Sequence, residues 1–135
     1  MSIGKLIEPT LKGVLATYKK ELELYQRFFD ISKKQSNLSE INNVDEIKEY
    51  LAEKREILAD IDILEKNLLK AKARILQVLG VEEFTVSNLS GRVDSETLEL
   101  IRLKLKELGF LILSIEKCES KSQINLNKMI NNSKK

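Results

Sequence analysis

The feature that most constrains this chain is an unbroken apolar stripe in its middle. Ile57, Ile61, Leu64, Leu68, Ala71, Ile75 and Val78 follow one another at alternating intervals of four and three residues, with no Gly or Pro between them. That alternation keeps one side of an α-helix turned towards a partner, as in a coiled-coil or helix-bundle seam. The same register reaches back to Tyr50, interrupted only by Lys54, so the spacing predicts a helix over about residues 44–79. At ~1.5 Å per residue such a helix is roughly 50 Å long, more than an ordinary globular helix. A helix of this length needs other helices to cover its seam.

Two further segments supply them. Ile7, Leu11, Val14, Tyr18, Leu22, Tyr25 and Phe29 carry a similar stripe through a helix over about residues 3–36. Pro9 fits there if it lies in the first turn, where its missing N–H breaks no bond, leaving the residues before it as a separate turn or a frayed end. Leu98, Ile101, Leu105, Leu108, Ile112 and Ile115 repeat the interval in a helix over about 95–130. The polar run Gln35–Asn43 reads as the first connection, and Asn43 with Glu46 has capping-box spacing. Gly80 suits the position just past the second helix, and Asp94 or Ser95 can cap the last one. Between them, 80–94 reads as a loop whose Phe84, Val86 and Leu89 tuck against the helices. The expected architecture is all-α: one domain, residues 1–135, forming an elongated antiparallel bundle of three long helices with coiled-coil-like packing.

Composition agrees with long helices and narrows the function. Charged residues make up 33% of the chain and aromatic residues 5%, with one Pro and no Trp. The 23 Lys and Arg residues are interleaved with 21 Asp and Glu, for a net charge of +2. Nucleic-acid binding calls for a sustained basic stripe, so no nucleic-acid partner is expected. The single Cys118 has no intramolecular disulfide partner, which suits a reducing compartment. The opening Met-Ser-Ile-Gly-Lys lacks the apolar core of a signal peptide, and Leu108–Ile115 is too short to cross a bilayer, so a cytoplasmic protein without membrane insertion is expected.

Catalytic equipment is scarce. The chain has no His, which removes Ser-His and Cys-His nucleophile pairs, His-containing zinc sites and the Glu-x-x-His pairs of di-iron bundles. One Cys cannot build a Cys-rich zinc site, and no Gly-rich phosphate loop is present. Glu82-Glu83 reads as a solvated loop pair, and Cys118, next to Glu119, lacks the basic setting that activates a thiol. No enzyme activity, cofactor or metal is expected. Two features of the third helix point elsewhere. Gly109 interrupts it at a cost of about 1 kcal/mol relative to Ala, and Phe110–Ile115 is apolar on nearly every side. Either the helix is buried between neighbours with Gly109 allowing close approach, or Gly109 is a hinge leading into a surface that takes a partner.

Three segments together resemble the FlgN family of flagellar type III export chaperones. They are the basic turn and paired apolar residues of Glu53–Glu65, the Leu79-Gly80-Val81 and Thr85–Leu89 connection, and the Asn-spaced tail Gln123–Ser133. The resemblance spans nearly the whole chain and departs from the family in the strongly apolar Phe110–Ile115 cluster. It implies a cytoplasmic chaperone that binds C-terminal helical segments of hook–filament junction (hook-associated) proteins and brings them to the export apparatus. By position it places Ile115, Cys118, Ser122, Leu126, Met129 and Ile130 on a client-facing stripe, with Gln123, Asn125 and Asn127 offering hydrogen bonds. Two other readings remain: a structural coiled-coil scaffold that self-associates through Phe110–Ile115, and the FliT type of flagellar chaperone, a shorter and more compact bundle.

Overall fold

The computed structural model describes the backbone of residues 3–37 and 44–133 and the side chains of residues 5–37 and 44–121. It is almost entirely helical, with large helix–helix contacts and no strand among the described residues. Four helices follow one another: α1 (Ile3–Ser36), α2 (Val44–Leu79), α3 (Val86–Leu89) and α4 (Ser95–Ser133). None is long and apolar enough to cross a membrane.

The helix ends are set by local chemistry. Gly80, at φ +68°, takes the left-handed conformation that closes α2. The Val81 N–H then donates to the Leu76 carbonyl at 3.1 Å, a Schellman arrangement that satisfies a carbonyl the helix leaves open. Arg92 reaches back to donate to the Leu79 carbonyl at 3.4 Å. Of the two candidates for capping α4, Asp94 does so: its carboxylate accepts from the Thr97 N–H at 3.0 Å and the Thr97 hydroxyl at 2.6 Å. Asn43, the expected cap of α2, lies outside the described residues, and α2 opens with Asp45 and Glu46 on its positive end.

Several expectations are corrected. Pro9 is not in the first turn, because α1 runs through it from Ile3. Its ring cannot donate to the carbonyl four residues earlier, a local loss that the flanking buried Ile7 and Leu11 offset by anchoring both sides. The connection after α2 is not wholly loop. Thr85 caps the single turn α3 by accepting from the Asn88 N–H at 3.1 Å. That turn aims Leu89 fully inward but leaves Val86 43% exposed. Leu105, placed inward by its spacing, is 41% exposed. The inward line of α4 passes between positions 104 and 105, and the aliphatic stem of Lys104 shares the place instead.

The chain packs as two compact units, Met1–Leu22 with Ile61–Glu107, and Glu23–Asp60 with Leu108–Lys135. The first unit has an aliphatic core. Ile7, Leu11 and Val14 of α1 meet the interior with Ile61, Leu68 and Ile75 of α2, Leu89 of α3, and Leu98 and Ile101 of α4. In the second unit the buried set is mixed: Ile31, Ile57, Leu108 and Ile115 share the interior with Ser32, Ser36 and Lys54. Along the α2 seam Ile57, Ile61, Leu68 and Ile75 are buried, and Leu64, Ala71 and Val78 are half-buried.

Gly109 neither breaks α4 nor admits a close neighbour, since a Cβ built there meets nothing within 4 Å. Gly109→Ala therefore raises stability in urea unfolding by about 0.5–1 kcal/mol, through helix propensity alone. Gly80→Ala does the opposite, costing about 1 kcal/mol or more because a side chain is strained at positive φ.

Candidate functional site

Two polar clusters and one cleft stand out, and all three can be built from helix faces. In the first unit, Tyr18 and Glu21 lie on the inner side of α1, 3% and 2% exposed. Opposite them α2 brings Glu65 and Lys72. The Lys72 ammonium stands 5.2 Å from the centre of the Tyr18 ring and 5.4 Å from that of Phe84, so the loop aromatic completes a cation–π pair of walls. Neither the Tyr18 hydroxyl nor one Glu21 carboxylate oxygen has a hydrogen-bond partner among the described residues. Burial, and then the neighbouring Glu65 carboxyl, push the Glu21 carboxyl up to about 7, against the opposing pull of Lys72. Burial also raises the Tyr18 phenol. Uncharging Glu21 is the low-energy answer to a carboxylate that is buried beside another carboxylate.

The second unit solves the opposite problem, a buried cation. Lys54 occupies the position where the α2 stripe is interrupted, and its side chain is only 6% exposed. Its ammonium donates to Glu119 of α4 at 2.5 Å and to the Gln35 amide oxygen of α1 at 2.6 Å. It also lies 5.1 Å from the centre of the Phe28 ring. The Ser32 hydroxyl of α1 donates to the same Glu119 oxygen. One ammonium and one carboxylate thus tie segments of three helices together, α1 supplying Gln35, Ser32 and Phe28, α2 Lys54 and α4 Glu119.

This node lies next to an open cleft of about 390 Å³. One wall is Phe29, Lys33 and Ser36 of α1 with Asn37 directly after it, and the other is Ser114, Lys117, Cys118 and Lys121 of α4. Each set falls at helical intervals, so each wall is one face of one helix. The Cys118 thiol lies 3.9 Å from the Ser36 hydroxyl, to which it donates, where the two walls meet. Lys33 stands 4.5 Å from the centre of the Phe29 ring and pairs with Asp30 at 3.5 Å. Upstream of Ser114 on α4, Phe110 is 63% and Leu113 55% exposed. Phe110 is four residues before Ser114, whose hydroxyl donates back to the Phe110 carbonyl at 3.0 Å, so the aromatic ring sits over the same helix face.

The residues singled out in the sequence separate on this geometry. Ile115, placed by the resemblance on the client-facing stripe, is 8% exposed and packs inside the second unit. Cys118 is half-buried at the junction of the cleft walls. The side chains of Ser122, Gln123, Asn125, Leu126, Asn127, Met129 and Ile130 lie outside the described residues, although α4 continues through their backbone. Sequence reasoning missed the α1 wall. Phe29 belonged to the inward stripe, Ser36 and Asn37 fell in the polar run read as the first connection, and Lys33 was given no role. The available signal was their spacing of four, seven and eight residues from Phe29, which puts Lys33 and Ser36 on its flank of α1 and Asn37 just past the end of that flank. Among the described residues, no group of three or more acidic, Cys or His side chains could hold a metal ion.

Comparison with known proteins finds no matching family model, curated protein or solved structure.

Two measurements check these clusters. The native Glu21 binds its proton more tightly than an unfolded glutamate with a pKa near 4.5, so its contribution to stability is greatest at low pH and is lost as pH rises through about 7. The wild type should therefore lose melting temperature relative to Glu21→Gln between pH 5 and 8, and parallel curves would contradict the assignment. In the second unit, Glu119→Leu strands a buried ammonium and should cost about 2–4 kcal/mol in urea unfolding. Lys54→Met leaves behind a carboxylate that is already 38% exposed, so it should cost less, about 1 kcal/mol.

Proposed function

We propose that this protein is a cytoplasmic export chaperone of the FlgN type, in which α1, α2 and α4 form an antiparallel bundle of three long helices with coiled-coil-like packing. In this reading it captures the C-terminal helical segments of hook–filament junction proteins, keeps them unassembled and hands them to the flagellar type III export apparatus. It performs no catalysis and needs no cofactor. The motif resemblance described above supplies the family. The observation that carries the capture function is the cleft of the second unit, with exposed Phe110 and Leu113 on the adjoining face of α4.

The physics suits the task. An amphipathic helix leaving water buries its apolar stripe in a groove between two helices, and groove residues at helical intervals match its own periodicity. Phe110 and Leu113 offer large apolar contacts that the folded chain leaves open, as binding surfaces do. In this reading Leu126 and Met129, three residues apart in the Asn-rich sequence that follows, add apolar positions to the client-facing stripe.

A second reading has support from the same exposed pair. Phe110 and Leu113 would equally cover one another between two copies of the chain, giving a self-associating scaffold. Light scattering separates the two: the chaperone reading expects a monomer that becomes a one-to-one complex with client.

Co-expression with a hook–filament junction protein should recover a stable complex. Leu126→Lys with Met129→Lys should abolish its capture while leaving the circular dichroism of the helices unchanged. Full pull-down by that double variant would remove the α4 tail from the capture site.

A further inference from the structure

The cleft walls carry a charge pattern as well as a shape. Lys33 stands on the α1 wall, and Lys117 and Lys121 stand four residues apart on the α4 wall. None of the residues lining the cleft is acidic. Among the described residues Lys117 and Lys121 form no ion pair, while Lys33 pairs only with its helical neighbour Asp30. The nearby Glu119 is already committed to Lys54 and Ser32. Cations therefore flank an apolar approach made by Phe29 from one side and Phe110 from the other, although the whole chain is nearly neutral at +2.

From this arrangement we infer that the groove selects an acidic amphipathic helix, one whose apolar stripe is flanked on both sides by carboxylates. The inference rests on the capture function proposed above and specifies its partner. A helix laid along the groove places its apolar residues on Phe29, Phe110 and Leu113. Its flanking positions then fall over the two walls. Carboxylates four residues apart on one flank match the spacing of Lys117 and Lys121, and a carboxylate on the other flank meets Lys33. A basic helix would meet three like charges and be rejected. Because the lysines are exposed, the selection is electrostatic and screened by salt.

The test uses two fluorescein-labelled synthetic helices of about 20 residues with the same leucine stripe, one with Glu and one with Gln at the flanking positions. Binding to the full chain is followed by fluorescence anisotropy at low salt and at 0.5 M NaCl. The Glu helix should bind at least tenfold more tightly at low salt, with the preference collapsing at high salt. Lys33→Gln, Lys117→Gln and Lys121→Gln combined should erase the preference. A control with Lys19→Gln, Lys20→Gln and Lys70→Gln, which removes the same charge from other exposed positions, should keep it. Equal binding of both helices overturns the acidic selection while leaving capture standing. Failure of both helices to bind removes the capture function itself. Equal losses in the two triple variants would reduce the effect to net charge, and occupation of the groove by a second copy, seen as a dimer in light scattering, would overturn the partner assigned here.

Discussion

A buried ammonium makes demands that aliphatic side chains do not. Lys54 sits within an apolar stripe, and withdrawing its charge from water is tolerable only when oriented acceptors replace the lost hydration. Glu119 and Gln35 supply them from two other helices, and Ser32 steadies Glu119. An aliphatic seam can slide by a turn with modest loss, whereas this three-helix node has one satisfying register. Fixing that register sets Phe29, Lys33 and Ser36 of α1 opposite Ser114, Cys118 and Lys121 of α4. The cleft lies beside this node, between the same segments of α1 and α4 that Lys54 joins.

The other unit handles a buried charge differently. Among the described residues Glu21 forms no ion pair to match that of Lys54, and its neighbour Glu65 is of like charge. Burial first, and then repulsion from the Glu65 carboxyl, favour a bound proton, which pushes the Glu21 carboxyl up to about 7. Lys72 moderates the effect from a distance while its ammonium rests between Tyr18 and Phe84. The two units thus use the same kinds of side chain with opposite outcomes, an ion pair in one and a neutralised acid in the other.

Much of the fold is legible in the sequence because helical periodicity is a strong signal. The stripe Ile57–Val78 identifies α2 and its inward face, Gly80 marks its end, and Asp94 caps α4 through Thr97. Departures arise where a second constraint acts. Leu105 turns outward because the inward line of α4 falls beside it, and the single turn α3 is too short to carry a period. Pro9 is read past by a helix anchored on both sides of it. Gly109 suggested a hinge or a close approach, yet it lies in continuous helix with open space at its Cβ. The cleft was the least legible feature. A period tells which face of each helix points inward, but not which lateral residues of two helices distant in sequence will stand opposite one another. Lys54 looked like a mere interruption for the same reason: its meaning depends on Glu119, 65 residues away.

If the cleft is where a partner helix is held, Cys118 reports on it, since this thiol lies where the two walls meet and is the only cysteine in the chain. The most direct measurement is the rate at which a thiol reagent labels Cys118, with and without a saturating hook–filament junction client. Capture in the cleft predicts a client-dependent slowing of at least tenfold. An unchanged rate in a client complex confirmed by light scattering would show that the partner binds elsewhere.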